Sequence, residues 1–128
     1  MDTTAQVKAA FFSPECPDEV VEEWLKESRT PCESARAGLA VLWPFGIAER
    51  VLAALDGLPR TGKKVLCVAG GNDKLVTKDM VAANVKDYRA ANGQDGVIDE
   101  EVVKNSAHHL MRDIAHRECA EVILKWLE

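Results

Sequence analysis

Two short segments carry the residues most able to do chemistry. One is Val65-Leu66-Cys67-Val68-Ala69-Gly70-Gly71-Asn72-Asp73, an apolar run ending in glycines and a carboxylate; the other is Asn105-Ser106-Ala107-His108-His109-Leu110-Met111, a small-residue turn carrying adjacent histidines. A carboxylate on the loop after a buried strand can orient an imidazole, and an oriented imidazole can serve as a general base. What such a dyad still lacks is an attacking group. No Gly-x-Ser-x-Gly elbow occurs in the chain, and that motif is what exposes a serine hydroxyl at a sharp strand-to-helix turn.

The other candidate nucleophiles fare poorly. Ser34 falls inside a helical pattern, Ser106 is too close along the chain to His108 to converge on it, and Ser13 sits in a Phe-Phe-Ser-Pro stretch without elbow spacing. The four cysteines, Cys16, Cys32, Cys67 and Cys119, are widely spaced with no Cys-x-x-Cys pair. They read as reduced thiols, and a buried thiol without a cationic neighbour is inert. Histidines and cysteines do not cluster at ligand spacing, so no metal is expected. Gly70-Gly71 lacks the third glycine and ribose-binding acid of a dinucleotide fingerprint, and no cofactor is expected.

These residues need elements to hold them, and the chain divides in two. Residues 1–60 read as helical and residues 61–128 as alternating strand and helix. In the first part, residues 1–13 are weakly patterned, and Pro14 and Pro17 mark a turn. Asp18 to Ser28 is amphipathic, with Val20, Val21, Trp24 and Leu25 on one side and acids on the other. Thr30-Pro31-Cys32-Glu33 is a capping box that should start a helix running to Pro44. Ile47 to Leu55 predicts a third helix, closed by Gly57 and Pro59. In the second part, Lys64–Ala69 predicts a strand buried on both faces, and Thr77 caps a helix over about Lys78 to Ala91. Val97 to Lys104 predicts a weaker strand, and a last helix is expected from Leu110 or Met111. Strand–helix–strand–helix order predicts an α/β fold with a parallel pair. Asp73 and His108 then fall on consecutive strand-end loops, within about 2.6–3.2 Å of each other.

A parallel pair is a poor sheet by itself, because parallel sheets are normally covered on both faces and wider than two strands. An open edge is therefore expected. It offers a seat for a second copy of the chain or for an N-terminal half supplied from elsewhere.

The chain resembles the C-terminal half of a fungal-type α/β hydrolase. Gly70-Gly71-Asn72-Asp73 is similar to the family's Gly-x-x-Asp acid turn, and Ser106-Ala107-His108-His109 to its small-small-His turn, with Ala107 where many relatives carry glycine. The resemblance implies a partial α/β-hydrolase fold, with a helical cap before two parallel strands. It implies that Asp73 and His108 are the acid and histidine of a triad. It also makes Phe11, Phe12 and Trp24, with His109 beside the catalytic turn, the wall of an apolar pocket for a small carbonyl substrate such as an ester or lactone. The chain would then be a truncated hydrolase, not active alone. Two alternatives stay open: a nucleophile-free Asp–His general base for isomerisation, cyclisation or dehydration, and a non-catalytic binding or dimerisation remnant. The bland alternative for Asp73 is a turn residue, for His108 a helix-capping or packing imidazole, and for the aromatics a core; His116 reads as a surface residue.

Composition bounds the rest. The 128 residues carry a formal net charge of −5 with scattered Lys and Arg, and no basic stripe for nucleic acid exists. No apolar run reaches membrane-spanning length and the first residues carry no leader pattern, so a cytoplasmic protein is expected.

Overall fold

The first helix forms where the sequence pattern is weakest. In the computed structural model, which describes residues 3–28, 47–55, 65–92 and 98–128, α1 spans Thr4–Phe11. Thr3 caps it, its side chain accepting from the Gln6 N–H at 3.3 Å. Only Val7 is fully buried on this helix, with Phe11 one turn later half-buried, so the apolar repeat is too short to stand out. Helix α2, Asp18–Glu27, follows its expected span. Val21 is fully buried, and Val20, Trp24 and Leu25 pack with Val7, Phe12 and Cys16 into a small core between α1 and α2.

Helix α3 spans Ala48–Leu55, β1 Val65–Gly70, α4 Lys78–Asn92, β2 Ile98–Val103 and α5 His116–Leu127. The strands pair in parallel, Val65 opposite Ile98 through Gly70 opposite Val103, as their alternation with helices requires. Among the described residues the protein is a mixed α/β structure in which helices lie on both faces of a two-stranded parallel sheet. One face carries α4, through Ala69, Val81, Val85 and Ile98, with Leu52 of α3 joining them. The other carries α5, through Val103, Ala115 and Cys119 with Val68 and Leu110. Side chains tie β2 to both layers: Arg89 of α4 donates to the Ile98 carbonyl at 3.1 and 3.2 Å, and the Trp126 indole of α5 to Asp99 at 2.7 Å.

Two expectations are corrected. Strand β1 is not buried on both faces: Val65 to Val68 are half-buried and only Ala69 and Gly70 are fully covered, because the described sheet is only two strands wide. The last helix begins at His116 rather than at Leu110 or Met111. The Asp113 side chain competes for backbone donors in that stretch, accepting from the N–H groups of Ala107 and Ile114, and so a single turn forms over His109–Asp113 instead of a helix. The capping box at Thr30, the helix to Pro44, Cys32 and the Gly57 and Pro59 stops lie outside the described residues. No described helix is long and apolar enough to cross a membrane.

Candidate functional site

The two strand-end loops are stitched together before any side chain is considered. Past the end of β1, Gly71 N–H donates to the Val103 carbonyl and Asn72 N–H to the Ser106 carbonyl, both at 2.9 Å. Gly70 has to be glycine for the same reason. A Cβ there would strike the Ala107 carbonyl oxygen and meet that of Ser106 at 2.8 Å, and one at Gly71 would meet the Lys104 oxygen at 2.5 Å. The pair of glycines lets one loop lie directly on the backbone of the other.

This contact brings Asp73 to His108. Asp73 Oδ2 lies 2.9 Å from His108 Nδ1, while Oδ1 accepts from the N–H groups of Leu75 at 2.8 Å and Val76 at 3.0 Å. The turn role and the partnership with imidazole are thus both real, and they use different oxygens. Burial alone would raise the Asp73 carboxyl, but the bonds from Val76, His108 and Leu75 outweigh it and hold the group below the ordinary carboxylate range. An ionised carboxylate is acceptor-only, so the shared proton sits on Nδ1 and the lone pair of neutral His108 on Nε2. No described residue bonds to Nε2. The His108 side chain is 34% exposed against 7% for Asp73, leaving the imidazole as the accessible partner.

Aromatic rings close around the histidines. The Phe11 ring centroid is 5.5 Å from those of both His108 and Trp24. His109 stacks on Phe12 at 5.3 Å and 17° and meets Trp24 edge-on at 5.4 Å, while its N–H donates to the Phe11 carbonyl at 2.9 Å. Burial pushes the His109 imidazole below its ordinary value, with Arg112 and His108 nearby adding to the effect. An open groove of about 500 Å³ is lined by Phe11, Trp24, Val68, His108, His109 and Met111, among others. A second, of about 470 Å³, runs past Phe12, Gly71, Asn72, Asp73 and Ala107. Phe12 itself is almost fully buried, so it serves the core between α1 and α2 as well as the second groove.

No protein-family model, no curated protein and no solved structure matches this chain. Its chemistry therefore has to be read from the side chains. Among the described residues, no serine or cysteine bonds to His108. The Ser13 hydroxyl is fully buried, 2.7 Å from Asp113 Oδ2 and 3.0 Å from the Asn105 carbonyl. Ser106 is equally buried, its hydroxyl against the Ala107 carbonyl. Cys119 lines the same groove as His108, but burial pushes its thiol up, as it does those of Cys16 and Cys67, and a raised thiol is a poor nucleophile. No group of three or more described His, Cys, Asp or Glu residues could hold a metal ion. His116 is exposed, with Nδ1 2.9 Å from the Asp113 carbonyl.

The residue that the sequence pattern does not reveal is Asp113. It is fully buried, and its Oδ2 accepts from Ser13 N–H at 3.0 Å and Ala107 N–H at 2.6 Å as well as from the Ser13 hydroxyl. Nothing local marks it, because its main partner is Ser13, a hundred residues earlier.

Proposed function

We propose that Asp73 and His108 form the acid–histidine part of an acyl-hydrolase site of the α/β-hydrolase kind, whose serine comes from polypeptide outside these 128 residues. One observation carries the reading: a 2.9 Å bond joins a depressed carboxylate to Nδ1 of a half-exposed histidine, across the ends of two adjacent parallel strands. Asp73 holds the ring in the tautomer that leaves Nε2 basic and stabilises the imidazolium when it forms. The serine Oγ–H gives its proton to Nε2 as Oγ bonds to the substrate carbonyl carbon. The imidazolium then protonates the leaving alkoxide as its bond to that carbon breaks, and a water activated by the same base releases the acid. Phe11, Trp24 and His109 supply the wall of the groove beside His108, and Phe12 that beside Asp73, which suits a small carbonyl substrate with an apolar body. The half-buried strand β1 is the place where the missing strands would pair.

The test is to isolate the tagged chain from its native cell extract and treat what comes with it with a fluorophosphonate probe. A labelled serine on a co-isolated polypeptide, lost when the bait carries His108→Ala or Asp73→Asn, supports the reading. Labelling indifferent to both substitutions, or no labelling at all, removes it. A second reading is favoured by the absence of any described nucleophile bonded to His108: the dyad acts as a bare general base in proton transfer or elimination. It predicts no labelling, together with His108-dependent exchange of an acidic C–H proton in a bound carbonyl compound.

A further inference from the structure

Asp113 is placed to control both partners of His108. Its Oδ2 holds Ala107 N–H, in the peptide immediately before His108, at 2.6 Å. Its own N–H donates to the His109 carbonyl at 3.0 Å, so side chain and backbone of one residue clamp the chain on either side of the histidine. The same Oδ2 takes Ser13 N–H at 3.0 Å and lies 2.7 Å from the Ser13 hydroxyl, which is also 3.0 Å from the Asn105 carbonyl. The segment that carries Phe11 is thereby tied to the histidine turn, a link repeated by the His109 N–H to the Phe11 carbonyl. Oδ1 takes Ile114 N–H at 2.8 Å. Three backbone N–H groups, those of Ser13, Ala107 and Ile114, thus donate to this one buried side chain, and buried donors need acceptors.

We propose that Asp113 is a positioning residue for His108, setting the turn that aims the imidazole at Asp73 and holding the Phe11 ring against its other side. It touches no substrate and acts through Ala107 and Ser13. The proposal rests on the reading of Asp73 and His108 as the working pair.

The test is NMR on the whole chain with 15N-labelled histidine, following the ring-nitrogen tautomer pattern of His108 and the nuclear Overhauser contact between the Phe11 and His108 rings. The parent should show the Nδ1–H tautomer and the ring contact. Asp113→Ala, which removes the acceptor of both Ala107 N–H and Ser13 N–H, should shift His108 to the Nε2–H tautomer and lose the contact; Ser13→Ala, which keeps the bond to Ala107, should keep the tautomer and weaken the contact. A folded Asp113→Ala chain with both signals at parent values overturns the proposal. If that variant does not fold, a parent-strength ring contact in Ser13→Ala overturns it instead. Asp73→Asn separates the two ideas. A tautomer indifferent to Asp73 removes the catalytic pair, whereas loss of the Phe11 contact in Asp113→Ala still shows that Asp113 holds the turn.

Discussion

The loops leaving β1 and β2 are each organised by an aspartate, and the two carboxylates are used in opposite ways. Asp73 binds its own loop with one oxygen, through Leu75 and Val76, and offers the other to an imidazole that solvent can reach. Asp113 is fully buried, and both of its oxygens are taken by donors of the polypeptide. A carboxylate with one oxygen committed is a fixed but available partner. One with both committed is a framework element, and removing it leaves buried donors unmet.

That contrast orders the expected effects of substitution. Asp113→Ala leaves Ser13 N–H and Ala107 N–H without acceptors and should cost about 3 kcal/mol of unfolding free energy, at roughly 1–3 kcal/mol per unmet buried donor with partial relaxation. Urea denaturation measures it, and a loss under about 1 kcal/mol would erase the distinction between the two aspartates. Gly70→Ala should come next, at about 2 kcal/mol, because the added methyl meets backbone rather than a yielding side chain. The same variant should weaken the His108 tautomer preference by pushing the two loops apart, which a stability-only effect would not do.

Asp73→Asn should cost about 1 kcal/mol. Its carbonyl can still receive Leu75 and Val76, while its amide presents a donor to Nδ1 and should move the ring proton of His108 to Nε2, as read by 15N shifts. The pH dependence has the matching sign. A carboxyl held below its ordinary value near 3.8 contributes stability that is complete above that pH and is lost as pH falls through the folded value, because the unfolded chain binds the proton first. His109, held below 6.5 by burial, works in the same direction at higher pH: stability is complete above 6.5 and declines below it, as unfolding lets the ring take a proton. Two separate declines in a pH series of urea midpoints are expected, and His109→Gln should remove only the upper one. The smallest effect belongs to the exposed pair of Arg112 with Glu27 at 2.5 Å. Glu27→Gln should change stability by less than about 0.5 kcal/mol and respond to salt.

The legible part of the fold was the part with a short-range cause. Val20, Val21, Trp24 and Leu25 repeat at helical spacing and fix α2; Thr77 marks the start of α4; the apolar run before Gly70 fixes β1, and its alternation with a helix fixes the parallel pairing. Helix α1 was not legible, since Val7 and Phe11 alone make too brief a repeat. The start of α5 was misplaced because Asp113, four residues after His109, looks like an ordinary polar position on a helix until its partners are known.

By itself the sequence determined the ingredients of the site: a carboxylate and a histidine, each placed just past a strand and therefore at the same end of a parallel sheet. Tertiary structure alone decided three things. One is the direct contact of the first helix with the histidine turn, the Phe11 ring 5.5 Å from that of His108 and the Phe11 carbonyl accepting from His109 N–H. Another is that Gly70 is required by the approach of the Ala107 and Ser106 backbone and not only by a turn. The third is that Asp113 joins Ser13 to the histidine turn. The reason is the range of the forces. Periodicity and turn chemistry act over a few residues and leave a pattern in the chain, whereas a buried acceptor is selected by whichever donors the folded chain brings to it, here one a hundred positions away.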